Sequence, residues 1–249
     1  MKNPLIFIIP VVLLGITACK KLGDPTQLSA ITSDESAIMI AGSLASESNG
    51  FVSLSNDATI TSQTVYTTNK GCGITHTDTI SHQSLSGASI TYSFKHVITN
   101  KLNCNANKQP DNVTSNLTFS GSYNGPKLSA KQSGSTNTTV AGLTPTSAVY
   151  VINGQFKSMG SYKLKSDTTR AGTIAIDITV KNVVISKATV TMPAIITGGT
   201  ATATITGNSP KGAFLFDGTL TFAGFNEAIL TLGNNSYSIN LSTGAVAKR

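Results

Sequence analysis

Three side chains able to ligate a metal fall on one short stretch, His76, Asp78 and His82, with Cys72 just before them. Even spacing puts all three on one face of an extended strand, and imidazole with carboxylate is a donor set for zinc. Reach argues against it. Six residues at about 3.3 Å each separate His76 from His82 by about 20 Å, so one straight strand cannot bring both to a single ion. No metal site is expected, and the three read as exposed polar strand positions. Catalysis has less material still. The chain lacks G-x-S-x-G, S-x-x-K and H-E-x-x-H, and its 3 histidines all lie between 76 and 96. A glycosidase needs two carboxylates across a cleft. Asp177 with Asp217 or Glu227 has the spacing for it, without a second sign in the sequence. No catalytic residue and no cofactor is assigned, and the chain is expected not to be an enzyme.

Binding chemistry is better supplied. The formal charge is +7, and between 113 and 166 there is no acid, while Lys127, Lys131, Lys157, Lys163 and Lys165 all occur there. Such a region can face lipopolysaccharide phosphates or an anionic glycan. Lys157, Lys163 and Lys165 are the candidate ligand contacts; the plainer reading is lysines scattered over solvated strands and loops. Trp, the usual sugar platform, is absent. The tyrosines at 66, 92, 123, 150, 162 and 237 can stack on sugars, but at strand spacing they read as half-buried sheet residues. Asp78-Thr79-Ile80 and Asp167-Thr168-Thr169 match the O-glycosylation pattern of Bacteroidota, which makes Thr79 and Thr168 candidate acceptors.

The elements that must position these residues begin after an address. Lys2, the apolar run from Leu5 to Leu14 and Ile16-Thr17-Ala18-Cys19 are too short for a spanning helix. The pattern resembles a bacterial lipoprotein signal peptide ending in the lipidated cysteine. The resemblance implies cleavage after 18, lipidation of Cys19 and a membrane partner through the lipid anchor, since two acyl chains hold where one does not. Lys20 and Lys21 stand where an inner-membrane retention Asp or an acidic export cluster would stand. The expected location is therefore the outer membrane, on its periplasmic face, with surface exposure as the alternative. Nucleic acid is not an expected partner there. In that oxidising compartment Cys72 and Cys104 read as a disulfide, against the alternative of two free buried thiols.

Behind the anchor, 19–31 reads as a lipidated tether and 32–50 as a helix packed on the domain. Thr32 or Ser33 caps the helix, Asp34 and Glu35 occupy its first turn, and Ile38, Met39 and Leu44 form its stripe. From Phe51 the pattern alternates, and 51–249 reads as the β-domain. Strands are expected at 58–68, 73–82, 89–99, 113–123, 148–152, 173–185, 188–192, 201–205, 213–216, 219–222, 228–232 and 237–241. Turns are expected at Asn124-Gly125, Asn153-Gly154, Gly198-Gly199, Gly207-Asn208, Asp217-Gly218 and Gly233-Asn234-Asn235. Connections this short make neighbours antiparallel. The expected fold is all-β: an antiparallel β-sandwich or a strongly curved antiparallel sheet, with one N-terminal helix. Ser and Thr, roughly a quarter of the residues, suit exposed strand positions.

Taken together, the lipobox, the capped helix at Asp34-Glu35-Ser36-Ala37, the Cys72 and Cys104 pair and the terminal meander through Tyr237 to Gly244 resemble uncharacterised Thr-rich lipoproteins of the Bacteroidota type. The resemblance speaks for the compartment and carries no chemistry. The functional expectation is a non-enzymatic envelope lipoprotein of structural or binding role with a glycan or protein partner. The alternative is a glycan- or lipid-binding module at the outer membrane.

Overall fold

The computed structural model describes residues 30–68, 71–167, 169–189 and 194–249. Cys19, the signal segment and nearly all of the tether lie outside the described residues, as does Thr168. Helix α1 (Ser33–Leu44) starts where its caps dictate. Thr32 Oγ1 accepts from the Glu35 amide at 3.2 Å, and the Thr32 amide donates to Glu35 Oε2 at 2.7 Å. This reciprocal box satisfies two of the amides a helix start leaves without partners.

A second helix, α2 (Phe51–Thr67), replaces the strand expected at 58–68 and the β-rich start of the domain at 51. Its β-favouring Thr and Val residues are overruled by packing. Phe51, Leu54, Ala58 and Val65, spaced at three to four residues or their multiples, bury one helical face. Its threonines satisfy themselves on the preceding turn: Thr61 donates to the Asp57 carbonyl at 2.8 Å and Thr64 to that of Ile60 at 3.0 Å.

The rest is one antiparallel sheet. Its strands are β1 (Thr75–Gln83), β2 (Thr91–Cys104), β3 (Pro110–Asn124), β4 (Leu128–Ala141), β5 (Val149–Leu164), β6 (Ala171–Ser186), β7 (Ile196–Ser209), β8 (Gly212–Gly224), β9 (Glu227–Leu232), β10 (Asn235–Asn240) and β11 (Val246–Lys248). They lie in chain order, so every neighbour is antiparallel and the sheet stays open between β1 and β11. The all-β antiparallel class holds. Strand lengths depart from expectation. Asp217-Gly218 lies inside the single long β8, and Gly207-Asn208 inside β7, which turns only after Ser209. Gly198-Gly199 belongs to β7, where its pairing with β6 shifts register. Asn153-Gly154 likewise sits at a register shift within β5. Such bulges bend a strand without ending it. The stretch expected at 188–192 is not strand at 188–189 and otherwise lies outside the described residues.

Alternate side chains of each strand turn to the helices. Tyr162 on β5 and Phe214 on β8 are three strands apart, about 14 Å on a flat sheet, yet their ring centroids lie 6.2 Å apart. Curvature brings them together, and Phe51 of α2 touches both Phe156 on β5 and Phe222 on β8. Glycines make room for the inward rings. A methyl on Gly121, Gly134 or Gly207 would collide with the ring of Phe94, Phe119 or Phe214, respectively, and with a neighbouring strand's carbonyl. Each aromatic ring covers a glycine on the next strand, a pairing that fills the gap where a sheet bends.

The ends of the chain meet. The Ser46 and Glu47 amides donate to the carbonyls of Leu241 and Ser242, each at 2.9 Å. Tyr237 Oη donates to Asp34 Oδ1 at 2.7 Å. Burial, reinforced by that carboxylate, pushes the Tyr237 phenol up to about 12, while the same bond holds Asp34 below its ordinary value. Cys72 and Cys104 are joined in a disulfide with Cα atoms 5.7 Å apart, tying the entry of β1 to the end of β2. Among the described residues no helix is long and apolar enough to cross a membrane.

Candidate functional site

Three elements deliver Asp57, His82 and His96 to one point beneath α2. Asp57 sits on the buried face of α2, and its carboxylate is 9% exposed. His82 and His96 both turn inward, from β1 and β2; because His82 pairs with Phe94 and Ile80 with His96, the two histidines are diagonal neighbours. His96 is fully buried and His82 is 28% exposed. His96 Nδ1 and His82 Nε2 each donate to the same oxygen, Asp57 Oδ2, at 2.7 Å. The imidazole centroids are 4.9 Å apart. Behind them, Asn49 Nδ2 donates to His96 Nε2 at 2.6 Å, and Ser53 Oγ donates to Asn49 Oδ1 at 2.9 Å. Asn49 holds the left-handed turn between the helices (φ 58°), a conformation Asn tolerates better than most residues.

On the opposite face the same strands carry a groove of about 1010 Å³. Register builds it. Ser81, Lys95, Ser120, Ser133 and Met159 form one cross-strand row, and Ser93, Ser122, Lys131 and Ser161 the next. All of these are exposed, two are cationic, and none of the groove's lining residues is acidic. A further depression of about 790 Å³ shares Met159 and Ser161 and extends towards Leu215 on β8. Met159 and Leu215, 63% and 62% exposed, are its large apolar surfaces. His82 borders the groove from below and belongs to both arrangements.

The residues singled out from sequence are distributed differently. Lys157 lies on the outer face of β5, paired with Asp177 at 3.5 Å, and Lys165 Nζ donates to Asn124 at 2.7 Å. Lys163 is six residues along β5 from Lys157, and none of the three lines the groove. Lys131 does, and so does Lys95, which lies outside the acid-free stretch. His76 and Asp78 pair with each other at 3.1 Å, away from the Asp57 centre. Asp177 and Asp217 share a row with Thr204 between them. Asp177 accepts from Gln155 and Asp217 from Thr204, while Glu227 on β9 accepts from Ser238. Thr79 is exposed on the first strand of the sheet.

Comparison of the chain with protein-family models, with curated proteins and with solved structures finds no match.

Proposed function

We propose that this chain is a non-enzymatic, lipid-anchored envelope protein whose outer groove binds an anionic glycan or the phosphorylated glycan headgroup of a lipid. The observation that carries the reading is the pair of serine rows holding Lys95 and Lys131 in a groove without acids. Serine hydroxyls both donate and accept, which matches the hydroxyls of a sugar. The two ammonium groups supply point charges for phosphate or carboxylate. Met159 offers an apolar surface to the C–H face of a ring. Lipidation at Cys19 after removal of 1–18, and residence in the periplasmic leaflet of the outer membrane, rest on the lipobox and on Lys20-Lys21.

Titration with lipopolysaccharide and with an array of neutral and anionic envelope glycans tests the groove. Binding is expected to weaken with salt. The double variant Lys95→Ala/Lys131→Ala should lose about tenfold in affinity, roughly 1.4 kcal/mol. Lys157→Ala/Lys163→Ala/Lys165→Ala should change it by less than about twofold. The reverse ranking, or salt-insensitive binding, refutes the groove. Mass spectrometry of the native N-terminal peptide tests the anchor, and protease shaving of intact cells tests the leaflet.

A further inference from the structure

We infer that Asp57, His82 and His96 bind one divalent transition-metal ion of the zinc class. The three ligand atoms come from three separate elements and lie within 4.8 Å of one another. One carboxylate oxygen can accept two N–H bonds, and here both imidazoles meet Oδ2, so two ring nitrogens and an oxygen crowd one small, largely buried volume. Two imidazole nitrogens and one carboxylate oxygen suit zinc and its neighbours rather than magnesium or calcium, which take oxygen.

The change needed for binding is small. At metal–ligand bonds of about 2.0–2.1 Å in tetrahedral array, donor atoms stand about 3.3 Å apart, so the two N···O contacts of 2.7 Å open by roughly half an ångström while the two ring nitrogens, within 4.8 Å of each other, adjust to the same spacing. Protons are conserved. Each neutral imidazole keeps its one proton but moves it off the metal-facing nitrogen: His82 from Nε2 to Nδ1, His96 from Nδ1 to Nε2. The buried side of His96 is built for that exchange. Rotating the Asn49 amide presents Oδ1 to the new Nε2–H, and Nδ2 then donates to Ser53 Oγ, so the Asn49–Ser53 pair satisfies either tautomer. Three protein ligands leave a fourth position, which water fills from the side of His82, the ligand most open to solvent.

The test uses the full-length chain in detergent, stripped with a chelator and titrated with cobalt(II), then with zinc(II). The expected result is one cobalt per chain, with the intense visible bands of a tetrahedral site, displaced by zinc. His82→Gln should weaken cobalt binding by about a hundredfold, and Asn49→Gly, which keeps the left-handed turn but removes the amide, by about tenfold, the lower end of the loss seen when a ligand's supporting partner is removed. His82 is partly exposed, so its variant retains the fold, which an unchanged circular dichroism spectrum verifies. His76→Gln, on the same strand but outside the cluster, should bind as the parent does. Absence of stoichiometric binding, binding that survives His82→Gln, or equal loss in His76→Gln overturns the assignment.

Discussion

Strands β2–β5 and strands β6–β10 share one sheet and one core, but they bury different chemistry. The first group buries His96, Asn100, Ser115, Gln132, Thr136, Thr138 and Ser158. Among the described residues the second group buries no Ser, Thr, Asn, Gln or His; its inner face is Ile174, Ile176, Ile178, Val180, Leu220, Phe222, Leu230 and their like. Buried polar groups cost stability unless each finds a partner. The polar half therefore gives up stability that the apolar half supplies. Both the Asp57–His82–His96 centre and the two groove lysines lie on the polar half, on β1 beside it or on the helix above it. Departures from good core chemistry concentrate where a site is held, and the apolar half serves as its scaffold.

Five measurements break or sharpen that contrast. Phe222→Ala removes a fully packed ring stacked on Phe51 at 6.3 Å and should cost about 3–5 kcal/mol in denaturant unfolding. Ser158→Ala on the polar half should cost about 1 kcal/mol, and equal losses would erase the distinction. Reduction of the Cys72–Cys104 bond, which closes a sequence separation of 32, should cost about 3–4 kcal/mol. Hydrogen exchange should then rise in β1 and β2 while β8 to β10 stay protected. Base comes next. The Tyr237 phenol lies higher in the folded chain, at about 12, than in the unfolded one, so its contribution is complete below about pH 10 and is lost as pH rises through 12. At about 2–3 kcal/mol it is the smaller term. Asp34 is depressed, so its contribution is present at neutral pH and fades only as acid takes the pH below the ordinary carboxylate range. Tyr237→Phe should flatten the alkaline limb of stability against pH. The smallest change has the opposite sign. Asn100 is fully buried with neither amide atom paired, so Asn100→Leu should raise stability by about 1 kcal/mol.

The same contrast explains what the sequence disclosed. Strands β6, β9 and β10 alternate Ile, Val and Leu with polar residues, and their period of two is visible by inspection. β4 is not legible because between Leu128 and Val140 its inward positions are Ala130, Gln132, Gly134, Thr136 and Thr138, which give no alternation of hydrophobicity. α2 read as a strand because Thr, Val and Tyr favour sheets; its helical face emerges only once Phe51, Leu54, Ala58 and Val65 are seen to need one neighbour. That misreading hid the site. His82 is a potential ligand by its type, and His76, paired instead with Asp78, lies too far along the strand to join it. Its partners lie across the sheet at His96 and on the helix at Asp57, and neither relation is encoded in spacing along one strand. The groove is hidden likewise, since only the pairing of β2, β3 and β4 brings Lys95 and Lys131 to one groove.

The clasp between α1 and the last strands has a consequence for assembly. Each strand pairs with the one made just before it, so the sheet grows by short loop closures, each of small entropic cost. α1 is the exception. Its tyrosine–carboxylate bond to β10 spans 203 positions, and the amides of 46 and 47 find their acceptors only at 241 and 242. α1, made before every strand, also meets β4, β7 and Arg170, but its set of partners is complete only when the final hairpin closes.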